Sequence, residues 1–421
     1  MSIPAGYRLV STDVSRAAEV LHVTSFAFAF TPPVKDADFV TRIYPFEAGR
    51  ALEVADASRG SVGTLAAAHT SFRFRLAVPG DRAIPTAGLT WVSVHPGHRR
   101  RGLLTTMIAD HFSRSLERGE PISALYASET EIYQRFGYGL ASRSGVIELA
   151  NGTTFRDIAG SDDLIVEIDS ASFDKHAGIL RDVQSRMTRP GTIVDFEEVT
   201  VAEAFLDLEY EREGAEELRI VVVRDEDKPL AWALLSRKGA WELFGANGKV
   251  TVKAWGSVEA RATARLMKVL TSFDLMSKAA IGHVPVDDEI LHLLANPRGA
   301  RQAILDNLWV RVLDVKAALE GRGYAADCDV TVDIADAQLP DNAGVWRVAV
   351  RDGEATITRV TGNGEADLAM NIQELGAAYL GGTSVSTLAS AGLVSERRAG
   401  AAGELSRAMA SDRAPLCNLD F

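Results

Sequence analysis

The run Leu89-Thr-Trp-Val-Ser-Val-His-Pro-Gly-His-Arg-Arg-Arg-Gly-Leu-Leu-Thr-Thr-Met-Ile108 constrains the fold of this chain more than any other segment. Thr90 to Val94 has the β-branched and aromatic content of a strand, and Pro96 and Gly97 end it. From Gly102 onward, Leu103, Leu104, Met107, Ile108, His111, Phe112 and Leu116 recur at helical spacing. The first N–H groups of such a helix have no partner within it, and the helix dipole adds positive charge at that end. Arg99, Arg100 and Arg101 stand just before it, and Gly102 lets a phosphate approach the backbone. A pyrophosphate suits this turn; the plain alternative is a solvated basic loop. A formal net charge of -12 argues against a general nucleic-acid binder.

The turn is neither a P-loop nor a Gly-x-Gly-x-x-Gly fingerprint. Arg99-x-x-Gly102-x-Leu104 resembles the coenzyme A loop of the GCN5-related N-acetyltransferases, with Leu104 where that family usually has Gly or Ala. Further on, Ser123 to Ala127 reads as a strand, and Thr130 to Phe136 as a short helix closed by Gly137. Tyr133 lies four residues before Gly137, in the Tyr-x-x-x-Gly-Phe/Tyr pattern where many such acetyltransferases keep a catalytic tyrosine. The chemistry suits a phenol: a group of pKa near 10 can protonate a departing thiolate. A core tyrosine with a satisfied hydroxyl is the structural alternative.

Composition sets the bounds. With 421 residues, 47% hydrophobic and 24% charged, the chain is long enough for several ordinary globular units. There is no apolar run of about eighteen residues, so no membrane span is expected. The N-terminus lacks a charged-then-apolar leader pattern, and a cytoplasmic setting is the expectation. Cys328 and Cys417 make neither a disulfide framework nor a zinc site, and the histidines show no ligand spacing, so no metal is expected.

Three units are expected: 1–148 carrying both motifs, 149–300, and 301–421. In the first, Val14 to Phe28 reads as a helix, Gly60 to Val78 as a hairpin, and Gly80 to Gly88 as the turn before the motif strand. In the second, Arg219 to Val223, Pro229 to Ser236, Ala240 to Ala246 and Lys249 to Trp255 read as strands, with a helix over Val258 to Phe273. That order repeats the first unit, but Gly256-Ser-Val-Glu-Ala-Arg261 lacks the basic glycine turn. It reads as a degenerate acetyltransferase-like repeat, or as an unrelated α/β domain. In the third, Trp309 to Val315 leads into a helix; strand-like runs follow, then helices over Ile372 to Leu380 and Ser384 to Ala391.

The whole chain resembles the Eis (enhanced intracellular survival) family of acetyltransferases. The carriers are Pro85-Thr-Ala-Gly88, His98-Arg-Arg-Arg-Gly-Leu-Leu104, Ala127-Ser-Glu129, Ile132-Tyr-x-Arg-Phe-Gly-Tyr-Gly139, Leu308-Trp-Val-Arg-Val-Leu-Asp-Val315, Tyr379-Leu-Gly-Gly and the closing Asp420-Phe421. The resemblance implies an α/β (α+β) architecture of tandem GNAT-like domains followed by a sterol-carrier-like domain, with acetyl-CoA as co-substrate. It implies Tyr133 as general acid and the α-carboxylate of Phe421 as general base. Val92, Ser93 and Val94 would border the pantetheine arm, Arg99, Arg100, Gly102, Leu103 and Leu104 the pyrophosphate, and Ser128 the cofactor. Phe26, Phe28, Glu129 and Asp420 would face the acceptor.

A terminal carboxyl is a weak base at its reference pKa, about 3.3–3.7, and burial would raise it. Glu129, His95, His98 and Asp420 are the competing bases. Phe28 stands where family members tend to carry an acid, which bears on polycationic acceptors; Asp36, Asp38 and Asp420 could compensate. The acceptor implied is a primary amine of polyamine or aminoglycoside type. The other readings are a protein lysine acceptor and a non-catalytic acyl-CoA or lipid binder. A homohexamer is implied as well.

Overall fold

A computed structural model describes residues 2–31, 38–361 and 365–421; Asp36 lies outside them. The first sheet has eight strands. Its order is Tyr7–Ser11, Arg50–Val54, Leu65–Val78, Arg82–Val94, Ile122–Leu125, Trp309–Val312 and Gly139–Leu140, with Ile193–Phe196 pairing Leu65–Val78 off this path. The second, of seven strands, runs Arg301–Asp306, Arg143–Ala150, Met276–Pro285, Gly248–Ser257, Lys228–Lys238, Arg219–Asp225 and Ile165–Ser170. The third is five-stranded and carries helices Ile372–Ala378, Val385–Ser390 and Ala401–Met409.

The sheets do not divide at 148 and 300. Arg143–Ala150 belongs to the second sheet, and Arg301–Asp306 pairs beside it. Trp309–Val312 instead returns to the first sheet, between Ile122–Leu125 and Gly139–Leu140. Adjacent chain segments thus swap sheets, which local pattern does not show.

Two other expectations fall. The hairpin lies one strand later than expected: Leu65–Val78 pairs with Arg82–Val94, and only Pro79-Gly80-Asp81 turns, with Gly80 and Asp81 both at positive φ. Pro85 reads as a turn residue, yet sits exposed in the strand opposite Arg75. Ala240 to Ala246 is not one strand but a small hairpin, Trp241–Glu242 against Gly245–Ala246.

One apolar core runs through all three units, joining Phe74, Leu234, Val310, Val348 and Phe421. Helix Ile372–Ala378 docks on the first sheet backbone to backbone. A side chain at Gly376 would collide with the carbonyl of Val310, and one at Gly139 with that of Gln373. Arg311, fully buried on that sheet, reaches both carboxylate oxygens of Asp336 at 2.7 Å. A buried charge demands such a partner. The third unit is therefore packed closely against the first, and the segment that follows it, Ala410 to Phe421, is led back between the two sheets.

Candidate active site

Strands Arg82–Val94 and Ile122–Leu125 pair in parallel only from Thr86 opposite Ile122 to Gly88 opposite Ala124. Beyond Gly88 they part. The cause is a bulge: on the hairpin side, Trp91 and Val92 together oppose His69, and Trp91 takes φ 54°. The extra residue bends the strand away. A seam opens between Leu89–Val94 and the end of Ile122–Leu125.

The basic turn closes one end of this seam. Pro96–His98 forms a single helical turn, Arg100 takes φ 59°, and Gly102 takes φ 80° ahead of helix Leu103–Glu117. Gly102 caps that helix without a side chain, so its first N–H groups are free of side-chain caps. Arg99 and Arg100 are exposed and make no ion pair or side-chain hydrogen bond among the described residues. Arg101 is engaged: it donates to the Tyr7 hydroxyl at 2.9 Å. The Leu103 side chain is buried with Tyr7, Leu52 and Met107, so only its backbone can meet a ligand. Ser93 is likewise buried, its hydroxyl turned to Thr24 at 3.3 Å. Val92, Val94 and Leu104 are half-buried along the seam.

Alternation along the strands separates the two catalytic candidates. Leu89 and Leu125 face the helix Leu103–Glu117, in a cluster that also takes Phe112, Tyr138, Val92, Leu104 and Tyr133. Gly88 and Ala124 face the opposite way, toward Phe72, Phe74 and Phe421. Tyr133, in helix Thr130–Gln134, packs edge-on to Tyr138 at 5.9 Å. Burial, aided by the negative charge of Glu129, pushes its phenol up to about 12, so it holds its proton at neutral pH.

Phe421 is 7% exposed, with its ring 4.9 Å from that of Phe74 and 5.3 Å from that of Tyr126. Burying such a ring contributes about 2–3 kcal/mol. Tyr126, at the end of the seam, donates to the carbonyls of Cys417 and Leu419 at 3.1 and 3.2 Å. Asn307 braces Cys417 on both its N–H and its carbonyl, at 2.9 and 3.0 Å. Asp420 is exposed and stands 3.5 Å from His283 of the second unit. Burial opposes charge on His283, but the Asp420 carboxylate outweighs it and raises the pKa.

Other expected residues lie farther from this point. Phe26, 52% exposed, packs at a tilt against His95, with ring centroids 4.9 Å apart, beside the basic turn. Phe28 ends helix Ala17–Phe28 and is exposed, as are Ser128, Glu129 and Asp38. Asn307, His283, Glu203 and Lys253 escaped sequence reading, because each joins the site from a distant segment with no motif around it; Tyr126 lies beside Ala127-Ser-Glu129, but local pattern does not show that its hydroxyl meets the tail. Burial pushes the Glu203 carboxyl up to about 8 and the Lys253 amine down; Lys253 donates to the carbonyls of Glu203 and Leu206 at 3.3 and 2.8 Å.

Comparison with known proteins agrees with this architecture. Acetyltransferase (GNAT) domain models match residues 8–141 and 202–312, and a sterol carrier protein domain model matches 315–418. An uncharacterised N-acetyltransferase of Streptomyces coelicolor is 38% identical over 351 residues, 82% of this chain and 83% of that protein. N-acetyltransferase Eis of Mycobacterium tuberculosis is 33% identical over 359 residues, 80% of this chain and 81% of its own. The chain belongs to the Eis family of N-acetyltransferases. Eis1 from Mycobacterium abscessus shares its fold, with a TM-score of 0.81 at 24% identity over 99% of this chain and 100% of that one. A GCN5-related N-acetyltransferase from Anabaena variabilis does so at 0.82 and 18%, over 99% and 100%.

As an Eis-family member this protein is an acetyltransferase with acetyl-CoA as co-substrate, which bears out the sequence expectation. The residues present fit that molecule. The helix end without a side-chain cap, positive-φ Arg100 and Gly102, and Arg99 and Arg100, unpaired among the described residues, suit a pyrophosphate. The opened seam offers an unpaired strand edge to an amide-bearing arm. Among the described residues no helix is long and apolar enough to cross a membrane, and no cluster suits a metal ion.

Proposed function

We propose that this enzyme acetylates primary amines of small polycationic acceptors, of polyamine or aminoglycoside type, with Tyr133 as general acid and the Phe421 α-carboxylate as general base. The observation that supports this reading is that the Tyr133 and Phe421 rings pack on opposite faces of one opened seam, Tyr133 with Leu89 and Phe421 with Gly88. Acetyl-CoA supplies the thioester. The Phe421 carboxylate takes a proton from the acceptor ammonium, directly or through a water, which frees the amine for attack on the thioester carbon. Tyr133 gives its proton to the sulfur as the carbon–sulfur bond breaks, and the surplus proton on the new amide nitrogen passes to the tyrosinate through water, which restores the phenol. Its raised pKa keeps that proton available at neutral pH.

The net charge of -12 favours a cationic acceptor.

We also propose self-association, a homohexamer by the sequence reading. Its support is the hairpin arm, where Trp241, Leu243 and Phe244 are 73%, 91% and 98% exposed.

The test is thiol release from acetyl-CoA with an aminoglycoside, a polyamine and a lysine peptide, in the native enzyme and in Tyr133→Phe. Release is expected with the first two, and the substitution should lower kcat by about 10²-fold or more while acetyl-CoA still binds. Release with the peptide alone would overturn the acceptor class. Unchanged kcat in Tyr133→Phe would overturn its role.

A further inference from the structure

The second sheet opens in the same manner as the first. Gly248–Ser257 and Met276–Pro285 pair in parallel from Gly248 to Val252 opposite Ile281, then part. Again a bulge lies at the parting: Lys253 is the extra residue between Val252 and Ala254, opposite Leu235 and Leu234. The crossover helix Ala260–Leu270 matches Leu103–Glu117 in place.

This second seam cannot serve a nucleotide cofactor. Its helix is preceded by Glu259, an acid at the position a phosphate would need, and Gly256 to Arg261 brings no basic glycine turn. The opening is spanned by the Trp255 indole, whose N–H donates to the carbonyl of Gly282 at 2.9 Å.

What enters the seam is the chain's own tail. The Asn418 carboxamide is 2% exposed, and its Nδ2 donates to the Trp255 carbonyl at 2.8 Å. It also exchanges two hydrogen bonds with Gln184, fully buried on helix Phe173–Ser185: Gln184 Nε2 donates to Asn418 Oδ1 at 2.7 Å, and Asn418 Nδ2 donates to Gln184 Oε1 at 3.2 Å. Just upstream, the Leu416 N–H donates to the Pro190 carbonyl at 2.8 Å. Just downstream, Asp420 meets His283 on the diverging strand. Asn418 thus satisfies three hydrogen bonds in a buried place.

We propose that this second seam is a receiving groove for an extended peptide, occupied by Leu416 to Asp420, and that Asn418 and Gln184 are positioning residues that set where the Phe421 carboxylate stands in the first seam. The proposal rests on the reading of Phe421 as the base. Three residues separate Asn418 from that carboxylate, and a slip of one residue displaces it by about 3.5 Å, more than a hydrogen bond tolerates. One seam then holds the co-substrate, and its degenerate twin holds the base.

The experiment is a double-mutant cycle in the full chain. Asn418→Ala and Gln184→Leu are made in the native chain and in one with a glycine added after Phe421. In the native background each should lower kcat about 10-fold or more, with the KM for acetyl-CoA unchanged. In the extended background, where the base is already displaced, neither should lower kcat further. Equal losses in both backgrounds would mean a merely structural role and overturn the proposal, as would no loss in either. Thermal midpoints are recorded for each variant; if Asn418→Ala does not fold, Gln184→Leu, which alters no tail residue, carries the test. Full activity of the extended chain would overturn the Phe421 reading and the groove with it.

Discussion

The ring of Phe421 lies over the Cα of Gly88, where an added methyl group would stand 3.0 Å from two of its carbons and collide with Phe74. Gly88 is also the last residue of the parallel pairing before the seam opens. One position therefore both ends the pairing and seats the tail.

Gly88→Ala follows directly. The methyl group must push Phe421 or Phe74 aside, and overpacking of this kind costs about 1–3 kcal/mol. The thermal midpoint should fall modestly and kcat by about 10²-fold, because the carboxylate moves with the ring. Acetyl-CoA binding, measured by calorimetry, should persist. A variant with native kcat would show that the ring's seat is not needed.

Acid should weaken the first unit through His69. It is buried, its Nδ1 has no hydrogen-bond partner among the described residues, and burial, with Arg114 and Arg50 adding, holds its pKa down to about 3. Asp110 stands 3.8 Å away, but at neutral pH the His69 imidazole carries no charge, so the contact is not a salt bridge. The unfolded chain protonates His69 below about pH 6.5, and the folded chain refuses that proton. Its contribution to stability is therefore present above 6.5 and lost as pH falls toward 3, at up to about 1.4 kcal/mol per unit. His69→Leu should show a shallower loss of urea midpoint between pH 6.5 and 4. An identical slope would contradict this.

The chain's architecture was legible where chemistry is local. The strand, basic turn and helix from Thr90 to Leu116 stand where periodicity put them, and Gly102 takes the positive φ that a bare phosphate-facing turn calls for. Pairing between distant segments was not legible. Nothing within Trp309–Val312 says that it returns to the first sheet while Arg301–Asp306, just before it, joins the second. Side-chain direction was also hidden: Ser93 and Leu103 sit in the right loop and strand but point into the core. Asn418 and Gln184 are ordinary residues until the tail is threaded, and no pattern marks either.

The apolar hairpin arm gives a test of assembly. Replacing Leu243 and Phe244 together by Ser should shift the mass seen by light scattering toward the 45.3 kDa of one chain, with the thermal signature of a folded protein retained. An unchanged mass would remove the arm from the interface.

The proposed base is the carboxylate at Phe421. The most direct measurement is kcat for an aminoglycoside in a chain with one glycine added after Phe421, at saturating acetyl-CoA. The ring keeps its seat on Gly88, while the carboxylate moves by about 3.5 Å. With the KM for acetyl-CoA unchanged, kcat should fall about 10²-fold or more. A native kcat in that chain would contradict it and return the role to Glu129, His95, His98 or Asp420.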